Sequence, residues 1–411
     1  MPAQRLSVLR HPAVRALLVA RLAGTSAAQI LSTVVGWQVF AISHSPLALG
    51  YVGLAQFVPI ALLILPAGNC ADRFNRKYQL AIAWTLEIMV SLLFVMLSLF
   101  GITHLLTFFA LLALFGIARA FAGPALSAFV PLLVPEEELG PAIALNSSVF
   151  QVSVIAGPAV GGALYILGPA IAYGTSAALF TIAVAATLCI RHYRTQQRDT
   201  GRAGAVTRFV AGIAYVRNNP VLLGAISLDL FAVLFGGAVA LLPVYASEIL
   251  DVGPVGLGAL RSAMAIGAFV VGLWLGRYAL GRHAGRIMFA CVALFGLATL
   301  VFGLSRSFTL SMIALVVAGG ADMVSVYIRS TLVQIATPDA MRGRVSAVNS
   351  LFIGTSNELG EFESGVTAGW FGAVPAVVIG GIGTLAVVGI WMWRFPALRR
   401  VDRLTDVRSG T

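Results

Sequence analysis

The sequence has few charged side chains and only three cysteines. Aspartate, glutamate, lysine and arginine make up 10% of its 411 residues, against about 25% in a typical soluble domain. So little charge cannot cover a soluble fold in which 59% of the residues are hydrophobic. Cys70, Cys189 and Cys291 lack metal-ligand or redox spacing and imply no disulfide framework.

Other absences narrow the function further. The sequence has no Gly-x-x-x-x-Gly-Lys-Ser/Thr loop and no soluble domain to carry a nucleotide, which argues against a primary pump. No histidine falls in the middle of a predicted helix, so a proton carrier there would be an aspartate or a glutamate. The net charge of +11 lies mostly in short loops, and we predict neither a nucleic-acid partner nor a cofactor.

Long apolar runs occupy most of the chain. Many are close to the length of about 20 residues that spans a bilayer. Because lipid can contact such runs directly, the sequence predicts an all-α integral membrane protein with twelve transmembrane helices. The predicted helices are 14–42, 47–67, 78–101, 105–133, 139–166, 169–190, 221–247, 255–279, 286–304, 308–335, 344–369 and 374–395.

Arginine is distributed unevenly among the predicted loops. One side carries nearly all of the basic loop residues, and the opposite side carries only Arg306. Cytoplasmic loops are enriched in lysine and arginine, so we predict that the basic side and both termini are cytoplasmic. The residues of this side are Arg5, Arg10, Arg73, Arg76, Lys77, Arg191, Arg194, Arg198, Arg202, Arg277, Arg282, Arg342, Arg344, Arg399, Arg400 and Arg403.

The two halves of the chain resemble each other at a separation of 203 residues. Pro135 corresponds to Pro338, and the pair Asn146-Ser147 corresponds to Asn349-Ser350. Six helices separate the copies, so both have the same orientation, and such parallel repeats are typical of transporters. Chance similarity between apolar segments is the alternative explanation.

The repeat predicts three regions. A first six-helix bundle covers 1–190, and a second one with a cytoplasmic tail covers 221–411. The arginine-rich stretch 191–220 between them becomes amphipathic and is predicted to be a cytoplasmic linker with a short surface helix.

The loop after the second predicted helix has a distinctive spacing. Gly68 is followed after three residues by Asp72 and Arg73, and after two more by Arg76 and Lys77. An ordinary positively charged cytoplasmic loop would explain the basic residues, but it would not explain Gly68 and Asp72 at these spacings. The pattern resembles the loop signature of the major facilitator superfamily, which implies two six-helix bundles related by pseudo-twofold symmetry. It also implies that Asp72 pairs with arginine and a helix end to hold the outward-open state.

The fifth predicted helix contains Gly157-Pro158-Ala159-Val160-Gly161-Gly162. Small residues allow close helix packing, and proline removes a backbone donor, so generic packing is one explanation. The element is similar to the Gly-Pro-x-x-Gly-Gly element of the drug/proton antiporters in the same superfamily. The stretch 356–365 is similar to the enterobactin-exporter branch. These resemblances imply export of siderophores, drugs or related amphiphiles by alternating access, in exchange for protons.

Charged residues inside predicted helices are further candidates. A charge at the membrane centre costs about 2.5–3.5 kcal/mol, so it is usually functional or paired. We assign eight such residues to the substrate and proton pathway: Arg21, Glu87, Arg119, Asp229, Asp322, Arg329, Glu358 and Glu361.

Repeat symmetry relates two pairs of these charges. Arg119 corresponds to Asp322 at the separation of 203 residues, and Arg21 corresponds to Asp229 at 208. The hypothesis is a network that changes partners between inward-open and outward-open states, and the alternative is a static ion pair that aids assembly. Asp229, Asp322 and Glu361 are the candidate proton carriers.

The acidic run Glu136–Glu138 follows Pro135 and could suggest a metal site. Proline and acidic residues are also typical of a helix start, so we interpret the run as the beginning of the fifth helix and predict no metal.

The sequence as a whole favours a monomeric secondary exporter of a small amphipathic molecule in a bacterial inner membrane. A lysophospholipid flippase or a proton-coupled uptake symporter is an alternative transporter. An integral-membrane transferase is an alternative of another class, but the short cytoplasmic loops lack the clustered aspartates that such an enzyme would need.

Overall fold

The computed structural model describes residues 8–190, 205–278 and 280–404, and within these ranges the chain is helical without a strand. The helices of the first half are α1 Pro12–Ser43, α2 Pro46–Arg73, α3 Arg76–Leu99, α4 Leu105–Phe129, α5 Leu139–Ile166 and α6 Pro169–Leu188. Those of the second half are α7 Ala205–Asn218, α8 Pro220–Phe235, α9 Gly253–Arg277, α10 Ala284–Leu304, α11 Phe308–Ile335, α12 Asp339–Phe371, α13 Ala373–Arg394 and the short α14 Pro396–Arg399.

Each of the twelve predicted segments overlaps one of these helices, and the predicted all-α membrane fold is confirmed. Among the described residues, eleven helical spans are long and apolar enough to cross a membrane. The remaining predicted span is α12, which has 33 residues but contains Glu358, Glu361 and Glu363. Its length suits a membrane span, and its three carboxylates lower its hydropathy.

The seventh predicted span is interrupted. Helix α8 ends at Phe235 with Gly236 as its C-cap, and the chain continues through the 3₁₀ turn Ala238–Leu241, a helical turn and the π turn Tyr245–Ile249. A Cβ atom on Gly237 would lie 2.5 Å from the Ser364 hydroxyl oxygen, so the break brings this backbone very close to α12.

Local signals set the helix starts. Asn219 accepts hydrogen bonds from the backbone N–H groups of Val221 and Leu222, both at 3.1 Å, and Pro220 occupies the first turn of α8. The Glu136–Glu138 run forms a separate 3₁₀ turn before α5 rather than its first turn. His11 lies 2.8 Å from the carboxylate of Glu138 and fixes this turn.

The helices group into two compact units. The first unit contains Met1–His44, Ala55–Gly201 and Gly253–Ser262, and the second contains Ser45–Leu54, Arg202–Val252 and Ala263–Thr411. Helix α2 therefore begins in the second unit and continues in the first, whereas α9 begins in the first unit and continues in the second.

Two segments at one end of the second unit pack against its helices. Tyr215 of α7 donates a hydrogen bond to the carbonyl of Ala336 at 2.8 Å. The segment after α13 crosses the start of α10, where the Ala284 N–H donates to the Asp402 carbonyl at 3.0 Å. The Asp402 carboxylate accepts from the His283 N–H and from Arg282, and these hydrogen bonds lower its pKa.

Candidate functional site

The second unit contains a buried ion pair between α8 and α11. The Arg329 guanidinium donates a hydrogen bond to the Asp229 carboxylate. The two side chains are 2% and 5% exposed, so neither charge reaches solvent. The Nε of Arg329 has no hydrogen-bond partner among the described residues, so the pair does not use the full donor capacity of the guanidinium.

Asp322 extends this pair into a cluster of three. It precedes Arg329 by seven residues on α11, which places both on one face two turns apart. Its carboxylate is close enough to interact electrostatically with Asp229 and Arg329. When both carboxylates are ionised the cluster carries one uncompensated negative charge, and one bound proton makes it neutral.

The first unit contains a second polar group, made by α2, α3 and α4, in which Gln56 and Glu87 are buried and Arg119 is exposed. The Arg119 guanidinium donates to the side-chain oxygen of Gln56 at 3.3 Å. Glu87 is 2% exposed and interacts electrostatically with Arg119. Sequence reasoning missed Gln56, although an uncharged amide in the middle of an apolar helix was a usable signal.

Arg21 on α1 has a different environment. Its guanidinium carbon lies 5.0 Å from the centre of the Phe150 ring on α5, within cation–π distance. Phe150 was also missed from the sequence, because aromatic residues are common on membrane helices and repeat symmetry does not single it out.

The carboxylates of α12 lie near the start of α2 within the second unit. A Cβ on Gly53 would lie 3.0 Å from a carboxylate oxygen of Glu361, so this carboxylate lies against the backbone of α2. Glu363 accepts a hydrogen bond from Thr367 at 2.9 Å. Glu358 lies on the same helix about one turn before Glu361, so the two carboxylates share one face.

The predicted gate loop lies at the end of α2. Lys77 donates from its ammonium group to the carbonyl of Ile190 at 2.9 Å, and its backbone N–H donates to the Asn75 side chain at 3.0 Å. Among the described residues, a Cβ on Gly68 would meet no atom within 4 Å beyond its own helix backbone. Arg76 starts α3, whereas the side chains of Asp72 and Arg73 lie outside the described part of the structure.

The antiporter element of α5 makes close helix contacts within the first unit. A Cβ on Gly157 would lie 2.5 Å from the Cβ of Gln29, and one on Gly161 would lie 3.2 Å from the Cα of Ile30, both on α1. On another face of α5, a Cβ on Gly162 would clash with the Pro254 carbonyl at the start of α9. The carbonyl of Pro158 would lie 2.5 Å from a Cβ on Gly258.

Within the described ranges, no group of three or more histidine, cysteine, aspartate or glutamate side chains could hold a metal ion.

The sequence matches the profile of the family described as "Transmembrane secretion effector" over residues 3–409. The chain belongs to this family of major facilitator transporters. It is similar to proteins named "Enterobactin exporter EntS" from two bacteria. Identity is 26% to that of Citrobacter koseri, covering 98% of this chain and 97% of the relative. Identity to the protein of the same name from Escherichia coli O81 is also 26%, covering 96% of this chain and 95% of the relative.

Solved structures of major facilitator transporters share the fold. A bacterial homologue of the human lysosomal transporter Spinster, inward-facing and occupied, superposes with a TM-score of 0.72 at 15% identity, covering 94% of this chain and 95% of that one. The nucleoside transporter NupG superposes with a TM-score of 0.70 at 14% identity, covering 93% of this chain and 99% of that one. The chain is a multi-pass membrane transporter of a non-enzymatic family.

Proposed function

We propose that the protein is a secondary exporter that moves a small amphipathic molecule, of siderophore or drug-like type, outwards in exchange for protons. Membership of a secretion family supports export, and the relatives named as enterobactin exporters match nearly the whole chain. We place the protein as a monomer in a bacterial inner membrane with both termini in the cytoplasm, as the loop arginines favour.

The cluster of Asp229, Asp322 and Arg329 carries the proposal of proton coupling. A buried set of charges is least costly when it is neutral, and this set is neutral when one carboxylate holds a proton. Releasing the proton leaves a net negative charge that favours a rearrangement of the surrounding helices. Proton binding and alternating access are thereby coupled through one cluster.

The remaining candidates have supporting parts in this proposal. Glu87 and Arg119 form the equivalent polar group of the first unit, and Glu358 and Glu361 form an acidic face of α12. The loop from Gly68 to Lys77 acts as the conformational gate. Close packing of the α5 element, Gly157 to Gly162, restricts leakage of protons.

The test is pH-driven transport in everted membrane vesicles, with enterobactin as the probe. We expect Asp229→Asn and Asp322→Asn to abolish accumulation driven by an imposed pH gradient while energy-independent counterflow of enterobactin continues. The reason is that an amide cannot release a proton, whereas the substrate contacts are retained. Glu361→Gln is measured in parallel as the third carboxylate candidate.

Asp251→Asn is the matched control. Asp251 is exposed outside the helices and has φ of 50°, a conformation that asparagine also adopts, so transport should equal that of the parent protein. Full coupling in all three carboxylate variants would reject proton exchange through these groups.

An uptake symporter and a lysophospholipid flippase remain the alternative transport functions. Both would use the same fold, so the direction of movement separates them from an exporter. Accumulation of enterobactin in right-side-out vesicles would favour uptake, and movement of fluorescent lysophospholipid between leaflets would favour a flippase.

A further inference from the structure

The membrane arginines of the chain differ in how their charge is compensated. Arg329 is paired with Asp229, and Arg119 interacts with Glu87 and Gln56. Arg21, in contrast, makes no ion pair with any described residue, and its Nε is buried without a hydrogen-bond partner. An unpaired charge on a membrane-spanning helix is costly and is typical of a functional site.

The surroundings of Arg21 offer contacts for a planar ligand. Phe150 lies beneath the guanidinium at 5.0 Å, and the residue is 41% exposed, so part of the ring remains available. Asn146 precedes Phe150 by four residues and so lies on the same face of α5. The Asn146 side-chain oxygen is buried and unpartnered among the described residues.

We infer that Arg21, Phe150 and Asn146 bind an acidic aromatic group of the exported molecule. The anionic oxygens would accept hydrogen bonds from Arg21, whose planar fork suits a carboxylate. The ring would stack on Phe150, and the Asn146 amide would bond a polar ring substituent. The inference rests on the proposed export function, because it specifies the substrate class that this function requires.

The phosphate of a lipid headgroup is a second source of anionic oxygens for Arg21. It lacks an aromatic ring, so it would leave Phe150 without a role. A soluble aromatic acid and its neutral amide distinguish the two sources, because only the acid gains from a free guanidinium.

The experiment is calorimetric titration of the purified full chain in a neutral detergent with 2-naphthoate and with 2-naphthamide. We expect the acid to bind about tenfold more tightly than the amide, the gain that one charge-assisted hydrogen bond provides. Arg21→Gln should remove this preference and leave the affinity for 2-naphthamide unchanged. Arg21→Lys should keep part of it, since the charge remains.

Two further variants complete the test. Phe150→Leu should weaken binding of both naphthalene ligands, because the stacking surface is lost. Arg15→Gln, an exposed arginine on the same helix, should behave as the parent protein. Thermal unfolding of each variant verifies that it is folded.

The inference would be overturned if the parent protein bound the acid and the amide with equal affinity. It would also be overturned if the preference for the acid survived in Arg21→Gln, or if naphthoate did not bind at up to millimolar concentration. Binding is measured without a pH gradient or transport. Full coupling in all three carboxylate variants of the vesicle assay would therefore reject the proposed proton exchange while leaving the charge preference as a separate result.

Discussion

At the scale of single residues, the pairing of Arg329 with Asp229 has the clearest energetic consequence. Arg329→Gln leaves a buried aspartate without its partner, and we expect a loss of about 3 kcal/mol in the free energy of unfolding. The measurement is unfolding of the purified protein in mixed detergent and SDS micelles, followed by circular dichroism.

The double variant Asp229→Asn/Arg329→Gln is expected to regain much of this loss, because no unpaired charge remains. Arg306→Gln is the matched control, since Arg306 is exposed in the loop before α11. A cost for Arg329→Gln no larger than that of the control would contradict the role of the pair.

Sequence reasoning could find the charged residues but not their contacts. Low overall charge made Asp229, Asp322 and Arg329 conspicuous, and helical periodicity put Asp322 and Arg329 on one face. Repeat symmetry related Asp229 to Arg21, whereas the structure pairs it with Arg329. A pairing between helices depends on their rotation and depth, and an apolar sequence does not fix either.

At the scale of helices, glycines decide how closely neighbours approach. Gly157→Ala places a methyl group against Gln29 of α1, and we expect it to lower the melting temperature. Gly140→Ala, at the start of the same helix, meets no atom within 4 Å and should raise stability by about 0.4–1 kcal/mol. Thermal unfolding in detergent measures both, and equal changes in the two variants would contradict the packing role of Gly157.

Helix ends were harder to predict than helices. The predicted eleventh segment, 344–369, is a helix from Asp339 to Phe371, because polar ends continue the helix beyond its apolar part. The predicted seventh segment, 221–247, is interrupted at Gly236 and Gly237. Hydropathy reports neither feature, since it averages over the length of a span.

At the scale of the whole molecule, the loop arginines predict the orientation in the membrane. In a variant without native cysteines, Ser307→Cys should react with an impermeant maleimide on intact cells, because its loop lies on the predicted outer side. Gly281→Cys, exposed at the opposite end of α10, should react only after permeabilisation. The reverse labelling pattern would invert the predicted topology.

The twelve-helix fold was predictable because a bilayer permits few architectures and long apolar runs identify the spans. The grouping of the helices into two units was harder to predict. Ser45–Leu54 groups with the second unit, and Gly253–Ser262 groups with the first. These assignments depend on close glycine contacts such as Gly50 with Phe362 and Gly258 with Pro158, which hydropathy does not encode.

The ion pair also has a consequence for biogenesis. Asp229 and Arg329 are 100 residues apart in the chain, so at about 5–20 residues per second the aspartate leaves the ribosome some 5–20 s before its partner exists. During that interval the nascent α8 carries an uncompensated charge costing about 2.5–3.5 kcal/mol at the membrane centre. We therefore expect the integration of α8 into lipid to gain the stabilisation of this ion pair only after α11 has been synthesised.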